Sequence, residues 1–203
     1  MEASGVDALL TDLGNVLVRV VPSIFYRRIR DLVPGLEADT FDRKVLLGDA
    51  YRDFALGRID GPAFAGRVGG VLGASFSYEA FREVWVDMFD DVPGNAEALR
   101  LAVEHVPVYI LSNTDPVHVE HIRARYPWVD RASGTFLSCE EGLLKPDTRF
   151  FTRALERFGL EASRTVFIDD HAENVEAARS VGINAVLAHT PEDFGRLVRD
   201  LWG

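Results

Sequence analysis

The stretch Val6-Asp7-Ala8-Leu9-Leu10-Thr11-Asp12-Leu13-Gly14-Asn15-Val16 decides the fold. Val6–Thr11 is a short, largely apolar run of the kind that forms a strand buried on both faces. It stops at a carboxylate, and Leu-Gly-Asn follows as a turn. Three more runs of this type lie downstream: Val106–Leu111, Thr165–Ile168 and Ala185–Ala188, with Gly134–Ser138 as a weaker fifth. Helical patterns fill the spaces between the later runs. Gly94–Glu104 sets Ala96, Leu99 and Val103 on one face. Asp115-Pro116 is an N-cap and first-turn pair opening a helix to about Arg125. Asp147–Phe158 is stopped by Gly159, and His171–Val181 by Gly182. Alternating strand and helix with short connections predicts an α/β fold, a doubly wound parallel sheet of Rossmann-like type.

Between about Val18 and Asp90 the alternation stops. Only helical patterns appear there: Pro22–Val33, Asp39–Leu47, Ala50–Leu56, Pro62–Leu72 and Tyr78–Phe89. Phe81, Trp85 and Phe89, four residues apart, read as the apolar face of the last. Gly69, Gly70 and Gly73 read as a helix end and turn. The predicted organisation is therefore an α/β core of residues 1–17 and 91–203, with residues 18–90 inserted as a helical cap.

In open α/β sheets ligands gather at the carboxyl ends of the strands, so the residues after each apolar run carry the chemistry. These are Asp12-Leu13-Gly14-Asn15-Val16, then Ser112-Asn113-Thr114, and Asp169-Asp170 with Asn174 one turn later. Gly142-Leu143-Leu144-Lys145-Pro146 lies a short way past the weak run. Taken singly, each is an ordinary turn, cap or loop. Together, and in order, they bring three carboxylates, a hydroxyl and an ammonium to one edge of the sheet. Asp12, Asp169 and Asp170 would raise one another's pKa unless a cation joined them. An all-oxygen set without a His or Cys cluster favours Mg2+. A phosphate drawn to that ion would meet Ser112 and the point charge of Lys145. One carboxylate would remain to attack phosphorus and form an acyl phosphate that water then hydrolyses.

These four segments resemble, in order, the four motifs of the haloacid dehalogenase-like hydrolases. The likeness covers nearly the whole chain, helical cap included. It is nearest to the bacterial glucose-1-phosphate phosphatase branch and the phosphatase domain of soluble epoxide hydrolases. The resemblance implies Asp12 as nucleophile, with Ser112 and Lys145 as phosphate binders and the adjoining Asn15 and Asn113 counted with them. It implies a metal set of Asp12, the Gly14 carbonyl and Asp170, with Asp169 holding a metal-bound water or supporting its neighbour. Phosphatases of this family commonly carry a second Asp two places after the nucleophile, as general acid; this chain has Gly14. General acid–base catalysis contributes roughly 10²–10⁴-fold, so Gly14 points to leaving groups that need little protonation, such as the anomeric oxygen of a sugar phosphate. Arg52 and Arg58, flanking Gly57 in the cap, are candidate substrate contacts.

The reading has competitors. One is a phospho-ligand-binding or regulatory protein whose turnover is weakened by Gly14. Another is a metal-independent dehalogenase, in which Asp169-Asp170 would be a costly unneutralised pair. A receiver domain places its acidic pair after the first strand and has no helical insertion. The formal charge of -10 among 203 residues opposes a duplex nucleic-acid partner, which needs a basic stripe. Cys139, the single cysteine, forms no intrachain disulfide and reads as a small hydrophobe. His118 and His121 read as solvated or partly packed helix residues, and His171 as a second partner of the carboxylates or a solvent-facing one. Met1–Gly5 shows no basic stretch before an apolar run, and no uninterrupted apolar segment approaches the ~20 residues of a membrane span. A cytoplasmic enzyme acting on a small phosphorylated molecule, as monomer or homodimer, is the expectation.

Overall fold

The computed structural model describes residues 5–203. Met1–Ser4, which bear on the signal-peptide reading, lie outside them. Among the described residues a five-stranded parallel sheet is built from β1 (Ala8–Thr11), β4 (Val108–Ser112), β5 (Gly134–Leu137), β6 (Thr165–Asp169) and β7 (Asn184–Leu187). Its order is β5-β4-β1-β6-β7. The chain thus enters at the centre, builds one side, then crosses back to build the other. Such a reversal opens a crevice at the carboxyl ends beside the first strand. Register sets Thr11 against both Ile110 and Ile168, so Asp12 and Asp169 emerge at one level from adjacent strands, with Ser112 one residue further along β4. The weak run Gly134–Ser138 forms the edge strand β5.

Helices cover both faces, as the continuous burial of β1 and β6 requires. α6 (Asn95–His105) and α7 (Pro116–Arg125) pack with Leu9, Val108 and Ile110 in one apolar cluster. α9 (Thr148–Phe158) and α10 (Ala172–Ser180) close the other face on Leu10, Leu111, Phe136 and Phe167. A C-terminal helix, α11 (Asp193–Trp202), places Phe194 and Val198 in the first cluster; the sequence reading assigned nothing there.

The stretch between β1 and β4 forms α1 (Pro22–Leu32), α2 (Ala38–Phe41), α3 (Asp49–Ala55), α4 (Gly61–Leu72) and α5 (Tyr78–Trp85). They surround an apolar cluster of their own, with Phe25, Phe41, Phe54, Phe64, Phe81 and Trp85 at its centre. Asp60 and Ser77 cap α4 and α5 by accepting from Ala63 N and Ala80 N. Gly69 and Gly70 lie inside α4, and Gly73, in the left-handed conformation, ends it. The segment expected as one helix over Asp39–Leu47 widens after Phe41, where Leu47 N donates to Asp42 O across five residues.

One expectation fails at the boundary. The helix drawn through Phe89 stops at Trp85, and Phe89–Asp90 forms β3, antiparallel to β2 (Arg19–Val20). The period-four spacing of Phe81, Trp85 and Phe89 continues across a helix end because Phe89 packs with the core cluster while Phe81 and Trp85 face the helical block. The chain passes into the block and back through this ribbon.

The block presses on the core at two places. The turn after α3 is tight against α8 (Ser138–Glu141): a Cβ on Gly57, at φ +68, would stand 1.9 Å from Cys139 O. Only glycine fits. At the other contact, His118 is stacked on Trp85, with ring centroids 4.8 Å apart. His118 is therefore packed, not solvated, because the end of α5 covers it. Among the described residues no helix is long and apolar enough to cross a membrane.

Candidate functional site

Asp12 follows β1 directly, and its carboxylate is buried. Asp12 Oδ1 accepts from Leu13 N at 2.7 Å and pairs with Lys145 Nζ at 3.0 Å, leaving Oδ2 outside these bonds. Lys145 is 3% exposed. Its ammonium also donates to Asp169 Oδ2 at 2.6 Å and to Leu111 O at 2.9 Å. Asp169, at the end of β6, is fully buried and saturated. Its other oxygen, Oδ1, accepts from His171 N and Asn174 Nδ2. Asp169 thus supports Lys145 and anchors the start of α10.

Asp170 projects beside Asp12, and oxygens of Asp12, Asp169 and Asp170 lie within 4.8 Å of one another. Asp170 Oδ2 accepts from Asn15 Nδ2 at 3.2 Å, and Asn15 Oδ1 accepts from Val20 N at 3.0 Å. Among the described residues, Asn15, at φ 53, is the one non-glycine residue with left-handed backbone, a conformation Asn tolerates better than most. Its amide therefore ties the turn after β1 to β2 and to Asp170. The side chain of Asn113 is committed as well: it donates to Lys145 O and accepts from Lys145 N, both at 2.8 Å. One hydrogen of the Asn113 amide is thus taken, which leaves the second as its side-chain donor. Ser112 is buried at the wall of the same chamber.

The electrostatics show what the arrangement can hold. The Asp12 carboxyl is pushed up to about 6, first by burial, with Lys145 pulling it down and Asp169 pushing it up. Burial opposes the charge on Lys145, but Asp12 and Asp169 outweigh it and hold the ammonium above its ordinary range. One ammonium facing three carboxylates leaves two negative charges uncompensated when all are ionised. The oxygen-only donor set fits a hard divalent cation with several retained waters. Lys145 neutralises Asp169, so the cost assigned above to an unpaired Asp169-Asp170 falls on Asp12 and Asp170 instead.

A polar chamber of about 300 Å³ opens here, lined by Asp12, Gly14, Ser112, Lys145, Asp170 and Asn174 among others. It thus gathers residues from the four motif segments. Arg52 and Arg58 stand apart from it. Arg52 lines a separate groove, of about 350 Å³, with Asn113 and Leu144 on its core side. Arg58 is exposed and pairs with Asp53 at 3.1 Å. Sequence reading did not find Tyr51, Met88 and Phe89, which face Gly14 and Ser112 across a second, smaller cavity. Tyr51 and Phe89 look like core aromatics in the sequence, and Met88 carries no motif.

A sheet with this order and an Asp–Lys–Asp cluster at its crevice defines a hydrolase class. Residues 6–182 match the family model of the haloacid dehalogenase-like hydrolases, and the chain belongs to that family. It is 28% identical over 180 residues to a sesquiterpene phosphatase of Aspergillus oryzae, covering 87% of this chain and 86% of the relative. It is 24% identical over 194 residues to a D-ribitol-5-phosphate phosphatase of Bacteroides thetaiotaomicron, covering 92% and 93%. A HAD family enzyme of Bacteroides thetaiotaomicron, solved with magnesium and inorganic phosphate, superimposes with a TM-score of 0.84. That match has 25% identity and covers 95% of this chain and 98% of the other.

Proposed function

We propose that this hydrolase is a Mg2+-dependent phosphatase that cleaves a small phosphorylated metabolite through an aspartyl phosphate on Asp12, with residues 18–90 acting as the cap. One observation carries the reading: Lys145 and Leu13 N hold Asp12 by a single oxygen, beside Asp170, in a chamber with room for a phosphate. The magnesium-and-phosphate complex of the Bacteroides enzyme and the activities of the two similar phosphatases support it.

The residues that would hold the ion are Asp12, Asp170 and the Gly14 carbonyl; when bound, it neutralises the carboxylates and polarises the phosphoryl group. Lys145 fixes Asp12 in its attacking orientation and offers charge to the equatorial oxygens, while Ser112 donates a hydrogen bond to one of them. Asp12 Oδ2 forms the new bond to phosphorus as the bond to the leaving oxygen breaks, and water then cleaves the acyl phosphate. Asp169, holding Lys145, and Asn15, holding Asp170, are positioning residues.

The test is phosphate release from a panel of sugar phosphates, polyol phosphates, nucleotides and an activated aryl phosphate, with Mg2+ and with EDTA. We expect release to need Mg2+ and to vanish in Asp12→Asn, with an acid-stable phosphorylated peptide containing Asp12 trapped during turnover. If even the aryl ester survives, the reading gives way to a phospho-ligand-binding protein.

A further inference from the structure

The second cavity, of about 160 Å³, adjoins the polar chamber. Gly14, Val20, Ser112 and Asn113 line both. Beyond that shared wall the surroundings change character. Leu13, Tyr51, Met88, Phe89 and Ile122 face the smaller space, with Thr114 as a polar residue among them. No lysine, arginine, aspartate or glutamate lines it. His118 does, but its ring nitrogens are already engaged. Nε2 lies 3.0 Å from Trp85 O and Nδ1 lies 2.9 Å from Asp115 Oδ2. Both ring nitrogens therefore face protein oxygens, and the ring has little left to offer a ligand hydroxyl.

Gly14 sits at the junction. Gly14 and Val20 line both spaces, and a Cβ on Gly14 would stand 3.2 Å from Val20 Cγ2, so a side chain there would crowd their shared wall.

From this we infer that the slot between Tyr51, Met88, Phe89 and Ile122 receives the leaving-group half of the substrate, and that this half is apolar. The inference rests on the phosphatase reading for the position of the phosphoryl group. A sugar or polyol would bury more hydroxyls against these largely apolar walls than the few polar groups there can partner. An apolar chain gains about 0.8 kcal/mol per buried methylene. The slot holds about the volume of five water molecules at ~30 Å³ each, which sets the length it can take to roughly five carbons. Tyr51, Met88 and Phe89 are its specificity-determining residues; they come from α3 and from the return of the chain into the core.

Binding of a homologous series separates this inference from the question of turnover. Calorimetry of n-alkylphosphonates, methyl through octyl, with the Mg2+-loaded full chain needs no hydrolysis. Affinity should rise about three- to fourfold per methylene, and level off near five carbons. Met88→Gln and the isosteric Val20→Thr should flatten that rise. Circular dichroism would establish that both variants are folded. Chain-length-independent affinity in the native chain would overturn the slot, as would tighter binding of a hydroxylated phosphonate of equal length. So would an unaltered slope in both folded variants. If the series binds as expected while no phosphate ester is hydrolysed, the phosphatase reading fails and the slot stands. If esters are hydrolysed while affinity ignores chain length, the reverse holds.

Discussion

A Cβ on Gly14 would meet Val20 Cγ2 at 3.2 Å, closer than most real contacts, so β2 must give a few tenths of an ångström for any side chain there. Gly14 is not in the left-handed region, and the obstacle is space alone. An acid installed at this position should therefore be paired with Val20→Ala. We expect Gly14→Asp in that background to raise kcat on phosphates of poor leaving groups by roughly 10²-fold or more. Aryl phosphates, whose leaving groups need little protonation, should change little. Comparing the two substrate classes across the single and double variants checks this, and an unchanged ratio would remove Gly14 as the reason for a leaving-group preference. At this scale the motif aspartates, Ser112 and Lys145 were legible because each follows a short apolar run. The functions of Asn15 and Asn113 were not. Both read as phosphate donors by proximity in sequence, and the fold adds a tying role that no local pattern shows, to Val20 N and Asp170 for one and to the Lys145 main chain for the other.

Among the elements, α7 carries the contact that seats the helical block. Asp115 is its N-cap: Oδ1 accepts from Val117 N and His118 N, while Oδ2 meets His118 Nδ1 and Trp85 Nε1. One buried carboxylate thus starts a core helix and holds the end of α5. Asp115→Ala loses the cap, worth about 1 kcal/mol, and leaves two buried donors unpaired at about 1–3 kcal/mol each. A destabilisation of about 3 kcal/mol is expected, a fall in Tm on the order of 10 °C for a chain of this size. Asp115→Asn keeps the cap acceptor and should lose less than the alanine variant. Thermal denaturation of both measures the difference, and equal losses would show that the cap itself contributes nothing and that the Trp85 and His118 bonds carry the whole effect. Asp115-Pro116 was readable as a helix start from local chemistry alone. Its second task was not, since Trp85 lies thirty residues upstream and the bond exists only when α5 is folded against α7.

At the scale of the whole molecule, the charge at the site links stability to pH and metal. Asp12 is raised to about 6 from its model-peptide value of 3.8, burial being the largest cause. A carboxyl raised by folding contributes stability that is complete below about pH 4 and is lost as pH rises through about 6. Without metal, the Asp12 contribution should therefore decline across that window. A divalent cation favours the ionised form, so the rise in Tm on adding saturating Mg2+ should be small near about pH 4.5 and larger above about pH 6.5. Thermal scans across the window with MgCl2 or EDTA check it, and Asp12→Asn should abolish most of the pH dependence. A Mg2+ response that is flat with pH in the native chain would place the ion away from Asp12.

What the sequence by itself determined is the alternation of apolar runs and helical patterns, the helical interruption after the first run, and the order of the motif residues. Those features are local: a buried parallel strand must be apolar throughout, and the residue after it faces the crevice whatever the rest of the chain does. Tertiary structure decided what no local pattern encodes. It converted Phe89 from helix to strand by pairing Phe89–Asp90 with Arg19–Val20, some seventy residues away. It assigned Lys145 to Asp12 and Asp169 together, because the sheet order sets β1 between β4 and β6. It also formed the apolar slot from Tyr51, Met88 and Ile122, residues that are ordinary in sequence and become a site only when the helical block lies over the crevice. Burial and charge pairing over long separations are many-body effects, and they exist only once the chain is packed.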